Sequence, residues 1–313
     1  MSWHIATANS LPPLDSAAAT ERIEARLPPD PQPAPDAAIR VLAWRCDAQP
    51  RPEDAVRLLR TSDAAVSLLA VREKVPPHGR PAGIAAIAGR LGVGHALALA
   101  EATPTDGGGG GGGGFDCDSV GIVSAHVLLK LGLQRLPAQH PRSGGPCAVF
   151  GQLPIEGIDV SVVSVALDAG DAPGWRARQM QVLLDRIDAY DRYLPVLIGG
   201  DMATTTFAAE DLADMGRLRQ LLAERADRLV APAGFEPMFD LLRQRGYEWR
   251  HANLPLAPTG RDGPPGIRGQ AYKRLWFFAR GLVCDEPKLL PAQDGRRLSM
   301  GRHDAISLRI RPA

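Results

Sequence analysis

PVLIGGDM, residues 195–202, is the stretch from which the rest of the chain can be placed. Consecutive apolar residues with β-branched Val196 and Ile198, followed by Gly199, Gly200 and Asp201, predict a buried strand. That strand ends in a tight turn that presents a carboxylate. Just upstream, residues 175–190 (WRARQMQVLLDRIDAY) set Met180, Leu183, Leu184 and Ile187 on one face of an amphipathic helix. Before the helix, 147–153 (CAVFGQL) and 158–167 (IDVSVVSVAL) are strand-like.

Moving outward, 39–44 (IRVLAW), 64–71 (AAVSLLAV), 96–100 and 121–128 read as strands. Residues 52–60 (PEDAVRLLR) and 84–91 read as helices. Downstream, 212–226 and 237–245 are helical in pattern. A Pro/Gly-rich loop at 254–269 precedes the strand RLWFFARGL, and the chain closes on AISLRIR. Helices and strands both mix and cluster, and several runs read as antiparallel neighbours. The pattern predicts two packed sheets with outer helices, not one doubly wound sheet.

Residues 1–38 read as a separate N-terminal segment, and 39–313 as the globular unit. Within the segment, 15–27 (DSAAATERIEARL) has the pattern of a short helix capped by Asp15 or Ser16. The following PPDPQPAPD (28–36) reads as a stiff linker, because its prolines cannot join a helix or an inner strand. Eight glycines, Gly107–Gly114, read as a flexible loop insertion. They lack the Lys-Ser/Thr that makes a glycine-rich loop hold phosphate.

With 36 Lys/Arg against 35 Asp/Glu, the whole chain gives no global signal for nucleic acid or membrane. From Leu241 onward, however, 14 Lys/Arg stand against six Asp/Glu, a basic C-terminal stretch suited to phosphate-bearing ligands. Cys46, Cys117, Cys147 and Cys284 have no metal-ligand spacing and no disulfide framework. The first residues lack a secretory pattern, and the longest apolar stretch, 83–100, is broken by Arg90 and His95. The expectation is a cytoplasmic monomer with no membrane or nucleic-acid partner.

Five segments in order, RARQMQVLL, PVLIGGDM, FEPMFDLLRQRGYEWRHANLP, RLWFFARGL and RHDAISLRI, resemble the endonuclease/exonuclease/phosphatase superfamily over residues 39–311. The resemblance implies a four-layered αββα sandwich of two mainly antiparallel sheets. It also implies a phosphoesterase ancestry dependent on Mg²⁺ or a similar divalent ion, which needs several oxygen ligands at strand ends.

Laid on the superfamily motifs, most of those ligands are replaced. VLAWRC puts Arg45 where the resemblance implies an asparagine. LLAVREKV keeps the metal carboxylate as Glu73, with Arg72 beside it. VVSVALD offers Val165 and Ala166 in place of the Thr-His pair. GGDMATT keeps Asp201 but has Ala203 for the asparagine. RLWFF places Leu275 where an aspartate pairs with the catalytic histidine. LSMGRHDAI keeps His303 but has Arg302 for the preceding aspartate.

The resemblance thus leaves Glu73 as a metal-ligand remnant and Asp201 and His303 as catalytic remnants. It brings Arg45, Arg72 and Arg302 toward the former metal position, where guanidiniums would contact an anion directly or pair with Glu73 and Asp47. The expected function is a non-hydrolytic domain that binds a protein or a phosphorylated ligand, with no cofactor. The alternative is a Mg²⁺- or Mn²⁺-dependent phosphodiesterase, phosphatase or nuclease with a rearranged site, using Asp168, Asp285 or Asp304 as substitute ligands.

Overall fold

The first apolar run of the globular unit, IRVLAWRC, forms a strand that is buried along nearly its whole length. In this computed structural model the described residues are 22–46, 52–75, 82–99, 115–138, 146–167, 173–204, 216, 236–254, 273–291 and 304–313. The elements are β1 (Arg22–Arg26), β2 (Ile39–Cys46), α1 (Pro52–Ser62), β3 (Val66–Val75), α2 (Gly83–Leu91), β4 (Gly94–Leu99), β5 (Phe115–Ser124) and β6 (Leu129–Arg135). They continue with β7 (Cys147–Ile155), β8 (Ile158–Ala166), α3 (Pro173–Tyr190), β9 (Val196–Asp201), α4 (Met238–Gln244), β10 (Leu275–Arg280), β11 (Leu282–Leu290) and β12 (Ala305–Pro312).

Seven strands form one sheet in the order β1-β4-β5-β3-β2-β12-β11, and five form another in the order β10-β9-β8-β7-β6. Only β2–β3 and β8–β9 are parallel among these pairs. Strand alternation divides the apolar residues into three layers. Val41, Leu68, Val162, Leu197, Phe277 and Leu308 fill the space between the sheets. Leu42, Leu69 and Val71 face α1 and α2, while Val163, Ile198 and Phe278 face α3 and α4. The expected αββα sandwich is therefore the observed architecture.

On the α3 side, Phe239 of α4 meets the rings of Trp249, Trp276 and Phe278 edge-on, at 4.9–5.4 Å between centroids. A fully buried ion pair, Arg176 to Glu236 at 2.5 Å, ties α3 to the residue that leads into α4.

Two expectations need correction. Residues 22–26, expected in a helix, form β1, paired with β4 from Arg22 opposite Leu99 to Arg26 opposite His95. Their helical propensity is weak beside the pairing and burial that the sheet offers. The following Pro-rich segment is also not a detached linker. Gln32 bridges His126, and the Glu156 N–H donates to the Pro35 carbonyl at 2.8 Å. Strands β6 and β11 were not expected as separate strands. Residues 1–21, the glycine run and, apart from residue 216, the helical pattern at 212–226 lie outside the described residues.

Candidate functional site

Asp201 ends β9, and its position is fixed by the two glycines before it. Gly199 faces the opposite sheet, where a Cβ would lie 2.7 Å from Leu68 Cδ1, and it would also lie 2.8 Å from Phe277 on the neighbouring β10. Gly200 has φ +143°, and a Cβ there would fall 2.0 Å from the Val165 carbonyl oxygen. Only glycine permits both approaches. Beyond the strand, the Ala203 N–H donates to Asp201 Oδ1 at 2.8 Å, closing an Asx turn. Ala203 itself has φ +51°, in the region that asparagine tolerates better than alanine.

The turn is clipped to the start of β10. The Met202 N–H donates to the Arg274 carbonyl at 2.9 Å, and Thr204 Oγ1 donates to the Lys273 carbonyl at 2.5 Å. Trp276 Nε1 reaches the same carbonyl at 2.7 Å. This clip aims Arg274 at the carboxylate of Asp201, with Nε to Oδ1 at 3.0 Å and a terminal nitrogen to Oδ2 at 2.9 Å. From the other sheet, Arg45 near the end of β2 places a terminal nitrogen 2.5 Å from the same Oδ2. Asp201 is wholly buried and Arg45 nearly so. One carboxylate thus sits between two guanidiniums, in the geometry of charge-assisted pairs.

Glu73 is in a different place. On β3, Leu68 and Ala70 point between the sheets, whereas Leu69 and Val71 point toward the helices. Alternation therefore sends Glu73 to the helix side. There its carboxylate accepts the Ala82 N–H at 3.0 Å, the Gly83 N–H at 3.1 Å and the Ser119 hydroxyl at 3.1 Å. It serves as the cap of α2, where the exposed amides and helix dipole favour negative charge. Arg72, its neighbour, takes the face that looks between the sheets and is exposed.

The structure thus joins Arg45 with Asp201, places Arg72 at the same end and separates Glu73 from them by the thickness of the sheet. Of the two expectations for the arginines, anion contact or pairing of Arg45 and Arg72 with Glu73 and Asp47, the structure instead gives Arg45 a pairing with Asp201. Arg302, His303, Asp168 and Asp47 lie outside the described residues. Of the other substitute ligands, Asp285 is exposed on β11, well below this end. Asp304 is buried just before β12. Ile306 pairs with Ala43, so the same antiparallel register carried two residues further sets Asp304 opposite Arg45.

Ala166 and Leu275 flank Asp201 in the sheet and are both buried. Neither side chain offers a donor or acceptor. Two cations next to the turn were not anticipated from the sequence, Arg274 and Lys273. Lys273 is buried, donates to the Leu254 carbonyl and lies 4.4 Å from the Trp276 ring centroid. Burial lowers its pKa to about 7. Among the described residues, no three His, Cys, Asp or Glu side chains gather as a metal-holding group.

No protein-family model matches the chain, and no curated protein matches it. Solved structures do. An endonuclease/exonuclease/phosphatase protein from Beutenbergia cavernae aligns at 15% identity over 88% of this chain and 72% of its own, with a TM-score of 0.62. One from Bacteroides vulgatus aligns at 10% identity over 88% and 100%, with a TM-score of 0.57. The human Nocturnin catalytic domain with bound sulfate anion aligns at 11% over 94% and 97%, with a TM-score of 0.55.

Proposed function

Since this chain has the endonuclease/exonuclease/phosphatase fold, we propose that it is a non-hydrolytic form of that fold, acting by binding a phosphorylated ligand, free or carried on a protein. The observation that carries the reading is the double engagement of Asp201 by Arg45 and Arg274. A hard divalent cation needs several oxygen ligands. Asp201 is the family-position carboxylate facing this space, and two fixed positive charges already meet it. A cation entering there would face both guanidiniums at short range. Glu73, on the far side of its strand, does not reach the same point.

The local balance favours an anion. Arg45, Arg274 and Arg72 at this end stand against Asp201 and the buried Asp304, which leaves one formal positive charge. Guanidinium geometry matches phosphate oxygens in pairs. Ala166, Ala203 and Leu275 supply none of the side-chain contacts by which the resemblance would have a reacting phosphate held.

The second reading is a metal-dependent hydrolase built on substitute ligands. The buried position of Asp304 opposite Arg45 in register is what favours it. Metal-titrated phosphodiesterase and phosphatase assays separate the two. Purified protein should show no hydrolysis above background with Mg²⁺ or Mn²⁺. Metal-dependent turnover that disappears in Asp201→Ala would establish the second reading instead.

A further inference from the structure

On the solvent side of the seven-stranded sheet, α1 and α2 leave an open groove of about 470 Å³. It is lined by Glu53, Val56, Arg57, Arg60, Thr61 and Arg90. Three guanidiniums share it with one carboxylate. Arg90 pairs with Glu53 at 2.5 Å, and Arg60 makes a 3.4 Å bond to the Arg90 carbonyl. Arg57 is exposed and has no side-chain partner among the described residues.

Arg60 and Arg90 lie in the last turns of their helices, where a cation complements the dipole. That accounts for two of the three charges. Arg57, one turn earlier on α1, has no such role and adds to a like-charge cluster. With Glu53 as the one carboxylate in the lining, the groove carries a formal excess of two positive charges, which complements an anionic ligand.

We propose that this groove binds an acidic peptide segment of a partner protein. Arginine clusters recognise carboxylate- or phosphate-bearing segments through charge-assisted bonds. Val56 and the arginine stems give an apolar wall for a peptide side chain. Nucleic acid fits less well, because no aromatic ring lines the groove to stack a base. The proposal is independent of the Asp201 site, which faces the space between the sheets.

The test is fluorescence anisotropy with a short fluorescein-labelled peptide of alternating glutamate and leucine. It is run at about 0.15 M salt, where exposed charges are screened beyond ~8 Å. Saturable binding is expected, weakened about tenfold or more in Arg57→Glu/Arg60→Glu. Arg57→Gln/Arg60→Gln should weaken it less. Arg186→Glu/Arg192→Glu, the same charge change at a remote surface, should stay within about twofold of wild type. Circular dichroism establishes that each variant is folded, and the glutamine pair decides the matter if the glutamate pair is not. No saturable binding, or equal weakening by the remote pair, overturns the proposal. Tighter binding of single-stranded oligothymidine, lost in the Arg57/Arg60 variants, would do the same.

Discussion

The Arg45 guanidinium, carried by one sheet, meets the Asp201 carboxylate of the other at 2.5 Å, with both side chains buried. The pair therefore joins the two sheets near the ends of β2 and β9, and Arg274 completes it from the start of β10. Removing one member of a buried pair leaves the other in a medium that solvates it poorly. Asp201→Ala, which strips the carboxylate from two guanidiniums, should cost about 3–5 kcal/mol in urea unfolding. Arg45→Met leaves Arg274 on Asp201 and should cost clearly less. The reverse order would mean that Arg274, not Arg45, is the partner that can be spared.

Glu73 makes a separate prediction. As the cap of α2 its carboxylate satisfies two amides that the helix cannot. Glu73→Ala should lower stability by about 1 kcal/mol, the usual loss of a helix cap. It should leave divalent-cation titrations unchanged, with wild type binding Mg²⁺ or Mn²⁺ only weakly. Calorimetry showing tight Mn²⁺ binding abolished by this substitution would assign Glu73 to a metal site after all.

Lys273 gives the protein a dependence on alkaline pH. Its pKa falls to about 7 on folding through burial, against 10.5 for the free side chain. Below about pH 7 both states hold the proton and the burial penalty is fully present. Between about 7 and 10.5 the unfolded state holds more protons, so stability contributed here rises with pH. Relative to Lys273→Met, wild type should gain about 2 kcal/mol from pH 7 to pH 9 in urea unfolding. The comparison with the variant matters, because burial also pushes the Cys284 thiol up to about 12 and raises Tyr247. Parallel curves for the two proteins would show that Lys273 keeps its proton throughout.

Much of the fold could be read because its inner strands are nearly continuous apolar runs. IRVLAW and PVLIGG have no competing helical reading at that length. LKLGLQR in β6 and LVCDEPKLL in β11 carry charges, glycine or proline on half-buried faces, so their alternation is weak. At the site, Gly-Gly-Asp marked Asp201 and VLAWRC marked Arg45. Glu73 was misplaced for a reason already visible in the chain. Adjacent residues of a strand face opposite sides, so Arg72 and Glu73 cannot both serve one site. Arg274 was overlooked because the expected aspartate fell on Leu275. Only the turn at 201–204, clipped to Lys273 and Arg274, brings the neighbouring residue into play.

β1 also carries the folded unit upstream of Ile39. It is the outermost strand beside β4, with Ile23 and Ala25 packed against the layer between the sheets. A polypeptide cut at Ile39, where the apolar pattern starts, would strip that cover and leave β4 with a bare row of amides and carbonyls. Such an open border is a template for extended segments of other molecules. The proline-rich passage between Leu27 and Asp36 is therefore the tether of a guard strand, and trimming it away would yield molecules that zip together.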